Sequence, residues 1–244
     1  MRLHRILAGI AVAGLALGSA WYVREVAPAS ALLRADPNAV PQNADLMRFA
    51  VGRGETAFRA ACAGCHGAEA AGDPHYGAPN LADADWLYGT GTPAEIERTI
   101  TYGIRSHHPK AWNLAAMPAY ARPVPLQGQN FPPLTPPEIA DVVAYVASLS
   151  GGQADPTAIA DGADLFTGKA GCFDCHAADA RGDAGVGAPD LTDKAWLYGD
   201  SSRAAIMETV AYGRQGVCPA QVGSLTPTEI REAALYVYAL GKGK

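Results

Sequence analysis

The chain repeats itself. Cys62-Ala63-Gly64-Cys65-His66 returns as Cys172-Phe173-Asp174-Cys175-His176, 110 residues later. The same offset carries Gly72-Asp73 onto Gly182-Asp183, and Gly77-Ala78-Pro79-Asn80-Leu81 onto Gly187-Ala188-Pro189-Asp190-Leu191. It also carries Trp86-Leu87-Tyr88-Gly89 onto Trp196-Leu197-Tyr198-Gly199, and Tyr102-Gly103 onto Tyr212-Gly213. One register held over so long a stretch means one structural unit used twice. Past Tyr102 the register slips. Met117-Pro118-Ala119 aligns with Cys218-Pro219-Ala220, and Leu134-Thr135-Pro136 with Leu225-Thr226-Pro227. The first copy therefore carries two insertions, within Ser106–Asn113 and within the Pro-rich stretch 121–133.

Apolar residues at helical spacing, with caps, predict helices over 45–61, 93–102 and 136–149 in the first copy, and over 202–212 and 227–240 in the second. Thr92 and Thr135 precede Pro93 and Pro136, the arrangement that starts a helix. No alternating strand pattern is found, so each copy is expected to be a small all-α domain. The turn-rich run Gly151-Gly152-Gln153-Ala154-Asp155-Pro156 reads as the link between them. With 27 glycines and 18 prolines, long regular elements are not expected. Net charge is −5 and there is no basic run, which argues against a nucleic-acid partner.

At the N-terminus, Arg2 and Arg5 precede a stretch from Ile6 to Val23 without formal charge. This reads as a membrane anchor with its start in the cytoplasm, and the rival reading is a signal peptide cleaved near Gly18-Ser19-Ala20. Either places the remainder outside the cytoplasm.

Cys-x-x-Cys-His is the attachment pattern of c-type haem. Thiols at i and i+3 of a helical turn face one way, so Cys62 with Cys65, and Cys172 with Cys175, can each add to the two vinyl groups of one haem. His66 and His176 then project toward the iron. Zinc would need a second ligand pair in each copy, a thioredoxin-like pair would need a βαβ setting, and disulfides would leave both histidines unexplained. For the sixth iron ligand, Met117 is expected at the first haem, with His107 and His108 as local competitors. At the second haem the matching slot holds Cys218. Either it ligates as a thiolate, or the iron stays five-coordinate, or a partner supplies the ligand. Met207 lies on the helix over 202–212 and is expected to be out of reach.

These motifs together with Gly103-Ile104-Arg105-Ser106 and His108-Pro109 resemble the dihaem cytochrome c subunit of cbb3-type oxidases, the CcoP or FixP family, over about residues 30–242. The resemblance implies two tandem class I cytochrome c domains after a single N-terminal transmembrane helix. In these terms residues 1–24 are the anchor or signal peptide and 25–44 a linker. The first domain is then 45–151 and the second 156–244. It implies two covalently bound haem c groups, with His66 and Met117 on the first iron and His176 on the second. Pro79 and Pro189 would pack near these histidines, and Trp86 and Trp196 would lie at the haem edges. Such a subunit is not itself an enzyme. It passes electrons on the periplasmic side of a bacterial inner membrane, from a donor such as the bc1 complex or a soluble cytochrome c toward the oxidase core subunits. A free-standing dihaem shuttle and a haem-based sensor using an open second haem are the alternatives.

Overall fold

A computed structural model describes residues 18–126 and 129–241. Nine α-helices are seen among the described residues. Helix α1 spans Ala27–Arg34, α2 Ala44–Ala61, α3 Ala63–His66, α4 Pro93–Tyr102 and α5 Pro136–Leu149. Helix α6 spans Pro156–Thr167, α7 Phe173–His176, α8 Arg203–Tyr212 and α9 Pro227–Gly241. The expected caps do the starting. Thr92 and Glu95 form a reciprocal capping box on α4, and Thr135 and Glu138 form another on α5.

Two expectations need correction, and one is refined. A short antiparallel hairpin, β1 Val124–Leu126 with β2 Gln129–Phe131, occupies the Pro-rich insertion. Strands this short are too brief to show a period of two. The link at 151–156 is a turn and loop as far as Asp155, and Pro156 begins a helix not expected from the sequence. The Asp155 side chain accepts from the N–H groups of Thr157 and Ala158, and Pro156 takes the first turn of α6. Residues 25–44 are no loose linker either. They form α1 and a 3-10 turn at Pro37–Gln42, and bury Leu32 and Val40 against Ala50 and Leu235. Arg231 of α9 donates to the carbonyls of Leu32 and Ala35 and pairs with Glu97. Among the described residues no helix is long and apolar enough to cross a membrane. The expected anchor over 1–24 lies mostly in residues 1–17, outside the described residues.

The largest correction concerns the two domains. They are not contiguous. Helix α9, from the second copy, packs on α2 and α4 of the first. Helix α5, from the first copy, packs on α6 and α8 of the second. The apolar cores agree. One unites Phe58, Ala70 and Ile96 with Ala234 and Val237. The other unites Ile139, Val142, Val143 and Val146 with Phe166, Cys172, Ile206 and Val210. The C-terminal parts of the copies have changed places. Lobe A is built from residues 27–105 and 217–241. Lobe B is the contiguous run 115–215, lying between those two pieces.

Each exchanged contact passes over a helix-interior glycine. A Cβ on Gly54 of α2 would fall on the Glu232 carbonyl and 2.7 Å from Tyr236 Cβ. On Gly162 of α6 it would fall on the Asp141 carbonyl and 2.8 Å from Tyr145 Cβ. Glycine costs a helix about 1 kcal/mol relative to alanine, yet here it lets two helix backbones touch. Gly162→Ala is accordingly expected to destabilise lobe B by about 2 kcal/mol, overpacking exceeding the propensity gain. Thermal unfolding followed at the second Cys-x-x-Cys-His site measures it.

Candidate functional site

Each Cys-x-x-Cys-His run forms one helical turn. The N–H groups of Cys65 and His66 both donate to the Cys62 carbonyl, at 3.1 and 3.0 Å, and those of Cys175 and His176 to the Cys172 carbonyl, at 3.3 and 3.0 Å. This sets the two thiols of a pair on one side, with the histidine next to them. His66 Nδ1 lies 2.9 Å from the Pro79 carbonyl, and His176 Nδ1 3.0 Å from the Pro189 carbonyl. A carbonyl only accepts, so Nδ1 carries the proton and Nε2 keeps its lone pair. Burial lowers the pKa of both imidazoles, and the bond to the proline carbonyl opposes this only in part. A neutral, oriented imidazole beside two thiols is the donor set that covalent haem requires. The five cysteines are free of disulfides, and among the described residues no cluster of three or more His, Cys, Asp or Glu side chains could hold a metal ion.

The segment carrying each expected distal residue pairs with the residue after a Tyr-Gly, and the exchange decides which. Ile104 and Cys218 trade backbone hydrogen bonds, at 2.9 and 3.0 Å, and Met117 and Arg214 do the same at 3.0 Å. Gln221 and Val222 N–H groups then satisfy the end carbonyls of α4, at Ile100 and Thr101. Tyr120 and Ala121 do so for α8, at Val210 and Ala211. Cys218 therefore belongs with His66, where its thiol is near enough to Cys65 and Cys62 to interact electrostatically. Met117 packs into the apolar cluster around Cys172. The expected pairing of Met117 with the first attachment site and of Cys218 with the second is thus reversed.

Burial pushes the thiols of Cys62, Cys172 and Cys218 up to about 11. A cationic metal opposite Cys218 would act the other way. The local competitors are elsewhere. His107 is exposed, and His108 stacks on Tyr102 with ring centroids 4.7 Å apart while its Nδ1 accepts from the Lys110 N–H. Met207, expected to be out of reach, packs against the same cluster as Met117. Tyr120 was not singled out from the sequence. It is buried, and Cys172 Sγ lies 3.9 Å from its hydroxyl. Its signal was only its place two residues after Met117-Pro118.

The lobes meet about a pseudo-twofold. The Tyr88 ring covers Gly187, and the Tyr198 ring covers Gly77. Gly89 N–H donates to the Ala184 carbonyl at 3.1 Å, and Gly199 N–H to that of Pro74 at 3.3 Å. Pro79, Trp86, Pro189 and Trp196 come together around a cleft of about 360 Å³ on this axis. Trp86 and Trp196 each also pack against the apolar cluster of their own lobe.

The family profile described as "Cytochrome c" matches residues 51–150, and that described as "Cytochrome C oxidase, cbb3-type, subunit III" matches 157–237. Among curated relatives, the cbb3-type cytochrome c oxidase subunit FixP of Bradyrhizobium sp. (strain ORS 278) is 42% identical over 219 residues, covering 88% of this chain and 69% of that one. Subunit CcoP of Cereibacter sphaeroides is 38% identical over 213 residues, covering 87% and 69%. Subunit CcoP of Rhodobacter capsulatus is 37% identical over 221 residues, covering 87% and 70%.

Proposed function

This chain belongs to the CcoP/FixP family of cbb3-type cytochrome c oxidase subunits, and on that premise we propose that it relays electrons through two haem groups to an oxidase core without reducing oxygen itself. It is a c-type cytochrome with two covalently bound haem c groups. The observation that carries the relay reading is the joining of two attachment turns in one intertwined body, each with a neutral histidine held by a proline carbonyl. We assign Cys62 and Cys65 to the first haem and Cys172 and Cys175 to the second. His66 and Cys218 are the axial pair of the first, and His176 and Met117 that of the second. Pro79, Trp86, Pro189 and Trp196 line the side where the haem pockets approach each other. The donor is a bc1 complex or a soluble cytochrome c. Residues 1–24 anchor the chain in the inner membrane, with both lobes on the periplasmic side.

Bound haem supplies a one-electron iron couple, and the protein sets its potential through the distal group. A thioether leaves the ferrous state favoured, whereas an anionic thiolate stabilises the ferric state. The haem held by Cys62 and Cys65 is therefore expected to titrate at the lower potential. Potentiometric titration of protein isolated with its membrane checks this: Cys218→Met should raise the lower potential by much more than it moves the upper one. Two equal high potentials in the unmodified protein would defeat the Cys218 assignment. Isolation without oxidase core subunits would defeat the subunit assignment.

A further inference from the structure

Arg105 stands where the chain crosses from lobe A to lobe B. Its backbone has φ +50°, in the left-handed region that non-glycine residues rarely occupy. Its N–H donates to the Trp112 carbonyl at 2.8 Å. Such a conformation persists only where the surroundings enforce it, and here the side chain shows what is held. Arg105 Nε donates to the Gly216 carbonyl at 2.6 Å. Nη1 donates to the Ala115 carbonyl and to the Tyr88 hydroxyl, each at 2.9 Å.

Gly216 lies two residues before Cys218, and Ala115 two residues before Met117. One guanidinium thus grips both crossing segments at the same distance upstream of each distal group. The segments lead into different lobes. Tyr88 adds the lobe interface, because its ring covers Gly187 across the pseudo-twofold. Gly216 itself is overlaid by the Tyr198 hydroxyl on the side where a Cβ would stand. The second copy lacks an equivalent. Arg214 stacks on Tyr198 at 4.7 Å and bonds to Thr209 and Glu208, without reaching either crossing carbonyl. The grip is single, asymmetric and central.

We propose that Arg105 is a positioning residue that couples the two haem sites, by holding the Cys218 strand and the Met117 strand on one rigid fork. The proposal rests on the assignment of Cys218 and Met117 to the distal sides of the two haems. A planar fork bonded at Nε and Nη1 transmits displacement as a unit, which a flexible ammonium does not. A change at one distal strand is then felt at the other, and the coupling is reciprocal.

The test uses the full-length protein with both haems attached, reading the ferric spectrum and midpoint potential of each haem. Met117→Ala and Cys218→Ala identify which signal belongs to which distal strand. Arg105→Met is expected to shift the potentials of both haems in a single substitution. Arg105→Lys, which keeps the charge but loses the fork, is expected to leave both displaced from the unmodified values. In the unmodified background, Cys218→Ala should shift the Met117-side haem as well as its own. In the Arg105→Met background that cross-effect should vanish, as a double-mutant cycle would register. A shift at one haem only, or at neither, overturns the coupling. If Met117→Ala and Cys218→Ala leave both spectra unchanged, the distal assignment itself fails and the proposal with it. Should the Arg105 variants not retain haem, Tyr88→Phe removes one of the two bonds that fix Nη1 beside the Ala115 carbonyl. Displacement of both haems then supports the proposal, and displacement of one or neither overturns it.

Discussion

Replacing Met117 by alanine is expected to remove a ligand from the haem attached at Cys172 and Cys175 and to leave the ligation and spin state of the one at Cys62 and Cys65 as they are. Met117 precedes the second attachment turn by 55 positions and follows the first, so linear order favours the opposite result. The structure places it with Cys172, Phe166 and Trp196, and its backbone is paired to Arg214. Loss of the thioether should open the sixth position of the second iron, convert its ferric signal from low to high spin and allow carbon monoxide to bind the ferrous form. The potential should fall by at least a tenfold change in the redox equilibrium, about 59 mV for one electron. A background lacking the second haem, Cys172→Ala with Cys175→Ala, gives the control. There Met117→Ala should leave the ligation and spin state of the first haem unchanged. If it instead turns the first haem high-spin, the exchange is refuted.

Ending the chain after Thr226 is expected to destroy the lobe around the first haem, although that attachment turn lies far upstream of the cut. The deleted helix α9 supplies Ala234, Leu235 and Val237, all buried, to cores built from Phe58, Ile96, Leu32 and Val40. Burying a Leu or Val side chain stabilises by about 1.5–3 kcal/mol, so losing this set approaches the 5–15 kcal/mol that typically holds a domain. Arg53 and Glu97 also lose their partners Glu232 and Arg231. Lobe B keeps all of its helices. Limited proteolysis should therefore spare residues 115–215 and degrade residues 27–105. Haem content should fall to one per chain. Contiguous domains would show the reverse, with the second haem lost.

The helices that came through clearly from the residues are those with both a cap and an unbroken apolar stripe. Helix α5 is the clearest, with Thr135, Pro136 and the row Ile139, Val142, Val143, Val146. Helix α6 was hidden because Gly162 interrupts it and because Asp155-Pro156 serves equally well as a turn or as a helix start. Helix α1 and the turn after it were hidden because their burial depends on α9, which arrives from the far end of the chain. At the site, the two thiol pairs and their histidines were legible. Arg105 was visible only as part of a motif. Its significance lies in three acceptors, of which Gly216 is 111 positions away.

The residues alone determine that there are two Cys-x-x-Cys-His turns with a histidine in each, and two matching positions, one holding Met117 and the other Cys218. They also determine most of the helices that surround them. Only the tertiary structure decides which position goes with which histidine. The physical reason is that the copies are equivalent. When 117–149 and 218–241 change places, each helix still buries the same stripe, each cap still finds its carbonyl, and each distal strand still pairs with the residue after a Tyr-Gly. Nothing local distinguishes the exchanged arrangement from the contiguous one. The difference resides in the crossings 105–116 and 215–217 and in the lobe interface they run beside, contacts that exist only once the whole chain has folded.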